Sequence, residues 1–166
     1  MRIEKHFSSR NLLFFVLSLQ IACDQREVDI RSLSANTTTP QAQISVMAKG
    51  DDIEVKVTVV NRSSSQFALL KWNLPEDGHL DGSLFEVSRD GKKVDYQGMQ
   101  IKRAVSEADY IPMKVGREYT TRIRLAQGYD VHPNGKYTIQ YRTWNQVPDG
   151  GKVLFIESNV VGLQKE

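Results

Sequence analysis

Three features of the 166-residue sequence predict an all-β fold. Apolar and polar residues alternate with a period of two through most of the chain, and this period places one row of side chains on each face of a strand. Turn-forming clusters separate those segments, among them Gly50-Asp51-Asp52, Asp90-Gly91 and Pro133-Asn134-Gly135. No amphipathic helical period follows the apolar run near the N-terminus. The expected architecture is an antiparallel β-sandwich of about seven to nine strands with immunoglobulin-like proportions.

The chain divides into three parts. Arg2, Lys5 and Arg10 precede an apolar run over residues 12–22, the layout of a signal peptide. That run falls short of the roughly 20 apolar residues a membrane-spanning helix needs. Residues 23–41 are polar and rich in Ser and Thr, as expected of a flexible tether. Residues 42–166 carry the strand signals and form the predicted domain.

Within that domain, Ile44, Val46 and Ala48 alternate with polar neighbours, and Ile53, Val55, Val57 and Val59 do so after the Gly50 turn. The two runs read as a hairpin. Residues 61–66 read as a polar loop, and residues 67–72 as a strand ending at Trp72, before Pro75 interrupts pairing. Next comes the clearest hairpin. Phe85 and Val87 lead into Arg89-Asp90-Gly91-Lys92, where Asp-Gly supplies the positive φ values of a tight turn, and Val94 and Tyr96 lead out. A short basic stretch, Lys102-Arg103, follows. Tyr119, Thr121, Ile123 and Leu125 make one face of a strand over residues 117–126; Tyr137, Ile139 and Tyr141 make another. A last strand is expected from about Val153 to Val161.

Charge narrows the partners. The chain's 22 basic and 20 acidic residues fall to 19 of each once the first 22 positions, with three Lys/Arg and one Glu, are set aside. A neutral domain has no basic field to attract nucleic acid. The single cysteine, Cys23, cannot form an internal disulfide. It directly follows the apolar run and Ala22, and so resembles the lipid-attachment cysteine of a bacterial lipoprotein, although Gln20 stands where that motif usually has Leu. The resemblance implies a domain held at the periplasmic side of a membrane through an N-terminal lipid; ordinary cleavage nearby implies a secreted one.

Catalytic patterns are missing from these residues. There is no His-Glu-x-x-His helix, no Cys/His zinc spacing, no Gly-x-Ser-x-Gly elbow and no phosphate-cradling glycine loop. His79 lies between Asp77 and Asp81 and reads as a surface-loop histidine bracketed by carboxylates, with a weak metal or base site as the alternative. His132 precedes Pro133 in another loop. No catalytic residue, metal or cofactor is expected, and the chain reads as a non-enzyme whose work is contact with another macromolecule.

Several short blocks then resemble one family in order. Residues 69–75, Leu-Leu-Lys-Trp-Asn-Leu-Pro, are followed by residues 84–92, Leu-Phe-Glu-Val-Ser-Arg-Asp-Gly-Lys, then Tyr96-Gln97-Gly98 and Lys102-Arg103-Ala104. Asp109-Tyr110-Ile111, Val115-Gly116, Tyr129-Asp130 and residues 135–141 continue the series. Together they are similar to the N-terminal propeptide domain of deuterolysin-type (aspzincin) zinc endopeptidases. That family implies a β-sandwich covering the active site of a following protease domain. The catalytic half, with its His-Glu-x-x-His helix, is not in this sequence, so the resemblance implies a partner in place of an activity. The partner would be a zinc metalloprotease, bound and inhibited by a segment presenting Lys102 and Arg103 to the substrate cleft. Trp72, an aromatic at a strand end, and Tyr110 are further expected partner-binding residues. Two other readings fit the residues: a general cell-envelope scaffold module, and a sugar- or metal-binding accessory domain using Trp72, Trp144 or the Asp77–Asp81 loop.

Overall fold

In a computed structural model the described residues are 40–74, 78–148 and 153–166. They contain nine strands: β1 (Gln41–Lys49), β2 (Asp52–Val60), β3 (Phe67–Leu70), β4 (Phe85–Arg89), β5 (Lys92–Val94), β6 (Tyr110–Met113), β7 (Glu118–Arg124), β8 (Gly135–Asn145) and β9 (Leu154–Lys165). The only helical elements among them are three-residue 3-10 turns. The fold is all-β, and every ladder is antiparallel. The predicted signal peptide, Cys23 and all but the last two positions of the predicted tether lie outside the described residues.

The strands form three sheets, ordered β1-β2-β7, β3-β6 and β5-β4-β8-β9. Alternation explains why. On β2, Ile53, Val55, Val57 and Val59 have no solvent exposure, whereas Lys56 between them is exposed. Burying each such side chain is worth about 1.5–3 kcal/mol, so this row fixes the inward face of the sheet. The same parity runs along β8, where Tyr137, Ile139 and Tyr141 are fully buried and Lys136, Thr138 and Arg142 are exposed. Residues from all three sheets meet in one apolar cluster.

The central hairpin has the expected register, Val87 opposite Val94 and Arg89 opposite Lys92. Asp90 at φ 52° and Gly91 at φ 76° make its turn. Both positive values are what the Asp-Gly pair supplies.

Three asparagine carboxamides tie the sheets together where backbone pairing stops. Asn145 accepts from the Leu70 N–H at 2.7 Å and donates to the Ala68 carbonyl at 2.9 Å, joining β8 to β3. Asn159 does the same to Ile44, accepting at 2.8 Å and donating at 3.1 Å, and so joins β9 to β1. Asn61 donates to the Met113 carbonyl at 2.8 Å, linking the end of β2 to β6. A carboxamide has one donor side and one acceptor side, like a peptide group, and can continue a ladder across a gap. The loop at residues 61–66 is therefore built inward on Asn61, which is fully buried.

Four elements differ from the reading of the sequence. The strand expected over residues 67–72 stops at Leu70, and Trp72 lies in a 3-10 turn, Lys71–Asn73. Buried Asn73 explains the stop: its side chain bonds the Trp144 carbonyl at 3.0 Å and the Thr143 hydroxyl at 2.8 Å, in place of a strand partner. The strand expected to end at residue 126 ends at Arg124, and a 3-10 turn, Leu125–Gln127, follows. The last strand runs to Lys165, beyond Val161, with a bulge between Gln140 and Arg142 of its partner. Strand β6 was not foreseen; Pro112 lies within it, exposed, opposite Ala68.

Candidate functional site

Between the hairpin and β6 the chain leaves the sheets. Residues 101–106 have no regular secondary structure, and residues 99–108 are exposed throughout. Met99 is 72% exposed, Ile101 38% and Val105 36%. Three exposed apolar side chains on one short segment make it a candidate contact surface. Lys102 and Arg103 lie at its centre.

The segment is held at its root by Tyr96. Its ring packs so closely on Gly98 and Gly128 that a Cβ on Gly98 would lie 2.6 Å from the phenol oxygen, and one on Gly128 would overlap the ring. The hydroxyl is shared between the Leu80 carbonyl at 2.9 Å and the Met99 carbonyl at 2.8 Å. The Gln97 N–H donates to the Gly128 carbonyl at 2.7 Å. Burial, chiefly, raises the Tyr96 phenol pKa above its ordinary value, so the hydroxyl remains a donor through the neutral range.

Asp81 holds the middle with two groups. Its carbonyl accepts from the Ile101 N–H at 3.1 Å, and its carboxylate lies 2.9 Å from the Arg103 guanidinium. The guanidinium carbon also lies 5.4 Å from the centre of the Trp72 ring. Half-exposed ion pairs contribute about 0–1 kcal/mol and cation–π contacts about 0.5–1 kcal/mol, so this clamp orients the segment more than it stabilises the domain. Lys102 has no ion pair or hydrogen bond among the described residues and is exposed.

The far end is a capping box. The Asp109 carboxylate accepts from the Ser106 N–H at 3.0 Å and from its hydroxyl at 2.7 Å, and Lys71 approaches its other oxygen to 2.7 Å. The lysine hydrogen bond first, then those from Ser106, holds the Asp109 carboxyl at about 2. Tyr110 starts β6 directly after it and pairs with Leu70, next to Lys71.

Of the residues singled out in the sequence, Trp72 and Arg103 touch, Lys102 lies beside them, and Tyr110 anchors the strand that ends the segment. Cys23 lies outside the described residues. Reading the sequence missed Tyr96, Asp81, Lys71, Ser106 and Asp109, which do the holding. Only the Ser106-x-x-Asp109 spacing carried a signal of it. Asp81, considered with Asp77 and His79 as a metal loop, is committed to Arg103; Asp77 lies outside the described residues.

Among the described residues no group of three or more His, Cys, Asp or Glu side chains is gathered. His79 and His132 are both exposed. A hollow of about 590 Å³ beside the central hairpin has only Glu86, Lys93, Tyr96 and Tyr129 as its ionisable lining. A second exposed feature is aromatic: Trp144, 61% exposed, packs on Phe155 across β8 and β9, with the Arg142 guanidinium 5.6 Å from the Phe155 ring centre.

Over 92 residues, 55% of this chain, the sequence is 42% identical to an extracellular protease of Aeromonas hydrophila. The match takes in 26% of that protein, so the chain corresponds to about a quarter of its length. No family model matches the chain.

Proposed function

We propose that this chain is an exported, non-enzymatic module that binds a deuterolysin-like zinc metalloprotease and inhibits it through residues 99–105. The observation that carries the reading is that segment: exposed, outside every ladder, anchored at its root, middle and end, and presenting Lys102 while Arg103 is clamped. The identity to an extracellular protease over part of that protein's length supports a protease-associated module and export. We further read the three sheets as an immunoglobulin-like sandwich serving as the rigid support, and Cys23 as the point of lipid attachment at the periplasmic side of a membrane.

Mechanistically, the segment lies along the substrate cleft and pairs with it through backbone groups that no strand of its own uses. Lys102 enters an acidic specificity pocket. Ile101 and Val105 bury apolar area on either side, and Trp72 and Tyr110 form the flanking surface. Presenting the segment already ordered reduces the entropy lost on binding.

The test is inhibition of a purified deuterolysin-type peptidase by the chain. Inhibition competitive with substrate is expected, weakened at least about tenfold by Lys102→Ala, the loss of one desolvated charged contact. Full protease activity at large molar excess of the chain excludes the reading. A second reading, a cell-envelope scaffold without a protease partner, is favoured by the exposed Trp144–Phe155 pair; it predicts that Trp144→Ala abolishes partner capture while Lys102→Ala does not.

A further inference from the structure

We propose that the Lys102–Arg103 peptide bond is a processing site for a basic-residue-directed, trypsin-like endopeptidase, and that cutting it gives a two-fragment protein that stays folded. The inference goes beyond the inhibitor reading and requires no metalloprotease.

Accessibility is the first argument. An endopeptidase takes its substrate extended, through the backbone, so cleavage inside a ladder requires local unfolding. Within residues 99–105 the one backbone-to-backbone hydrogen bond, among the described residues, is Ile101 N–H to the Asp81 carbonyl, and the Met99 carbonyl accepts from the Tyr96 hydroxyl. Other exposed basic residues among those described are less available. Lys49, Lys56, Lys92, Lys93, Arg122, Arg124, Lys136 and Arg142 sit in paired strands, and Lys71 lies in a 3-10 turn, paired with Asp109. Lys114 and Arg117 bracket a turn closed by the Arg117 N–H to Lys114 carbonyl bond at 2.9 Å.

The second argument selects the bond. A trypsin-like enzyme requires the basic side chain on the carbonyl side of the cut to enter an acidic pocket. Arg103 is held by Asp81 and Trp72, whereas Lys102 is free of partners among the described residues. Hydrolysis adds water across the Lys102–Arg103 amide: hydroxide goes to the Lys102 carbonyl carbon, the C–N bond breaks, and the Arg103 nitrogen leaves as an amine that protonates.

Topology supplies the third. Each sheet combines strands from both sides of the cut: β2 with β7, β3 with β6, and β4 with β8. Three interfragment ladders and a shared core therefore hold the pieces together, and the cut frees the binding segment without dismantling its support.

Limited digestion of the full chain with trypsin tests this, read by intact mass and N-terminal sequencing. Within residues 40–166, the first cut is expected between Lys102 and Arg103. The fragments should co-elute on gel filtration and separate only in denaturant. Lys102→Ala should slow loss of the intact domain at least about tenfold, because the remaining basic residue is clamped. Asp81→Asn releases Arg103 and leaves Lys102 free, so it should add cleavage at the Arg103–Ala104 bond to that at Lys102–Arg103. A first cut at another basic residue, fragments that part without denaturant, or undiminished cleavage of Lys102→Ala would each overturn the proposal. Loss of inhibition and misplacement of the cut are separate readouts, so either can fail alone.

Discussion

Asn145 joins two sheets with one side chain. Asn145→Ala leaves the Leu70 N–H and the Ala68 carbonyl without that partner, and a buried polar group left unpaired costs about 1–3 kcal/mol. We expect a loss of about 2–3 kcal/mol, seen as a lower urea midpoint with unchanged slope; an unchanged midpoint would show that the carboxamide bridge is incidental. Parity made Asn145 legible in principle, because it stands on the row of Tyr137, Ile139 and Tyr141. Asn61 and Asn159 gave no such sign, since an asparagine in a polar loop or beside a bulge looks like any surface residue. Tyr141 makes a second residue-scale prediction. It is fully buried, its hydroxyl donates to the Asn73 carbonyl at 2.6 Å, and burial pushes its pKa far above the ordinary 10.0. The folded state keeps the phenol neutral while the unfolded chain ionises. The contribution is thus fully present below pH 10.0 and is progressively lost above it. Denaturant midpoints should fall with a steepening slope above about pH 10, and a flat profile into strong alkali would contradict this burial.

At the scale of elements, the hairpins were readable because alternation and Asp-Gly chemistry agree, as in β4–β5 and β1–β2. Strand β6 was not, since Pro112 argues against a strand unless its missing N–H faces away from the ladder partner. Nor could local pattern show that residues 99–108 stand out from the sheets; that follows from Tyr96, Asp81 and Asp109, each contacting residues distant in sequence. These anchors predict local effects without global ones. Lys71→Ala should change overall stability by no more than about 1 kcal/mol yet speed amide exchange near Ser106 and Asp109. The same anchor has an acid limit. The Asp109 carboxyl is lowered from 3.8 to about 2, so its contribution is present above pH 3.8 and is lost as pH falls through about 2. Exchange-protection of this end should weaken across that window, and protection unchanged at the lower limit would contradict the assigned carboxylate.

For the whole molecule, the governing feature is that the exposed segment divides the chain while every sheet crosses the division. Residues 99–105 contribute to no sheet and to no part of the apolar cluster. All-β class and antiparallel pairing were legible from period and turns. How three sheets share one core was not, because the asparagine bridges and the contacts of the segment join distant positions. We propose that a protease meets the chain at this segment, and hydrogen exchange of the full chain, with and without a deuterolysin-type metalloprotease, is the measurement that decides it. New protection is expected over residues 99–105, with the sheets unchanged. Protection confined to the Trp144–Phe155 face, or none anywhere, would rule that contact out.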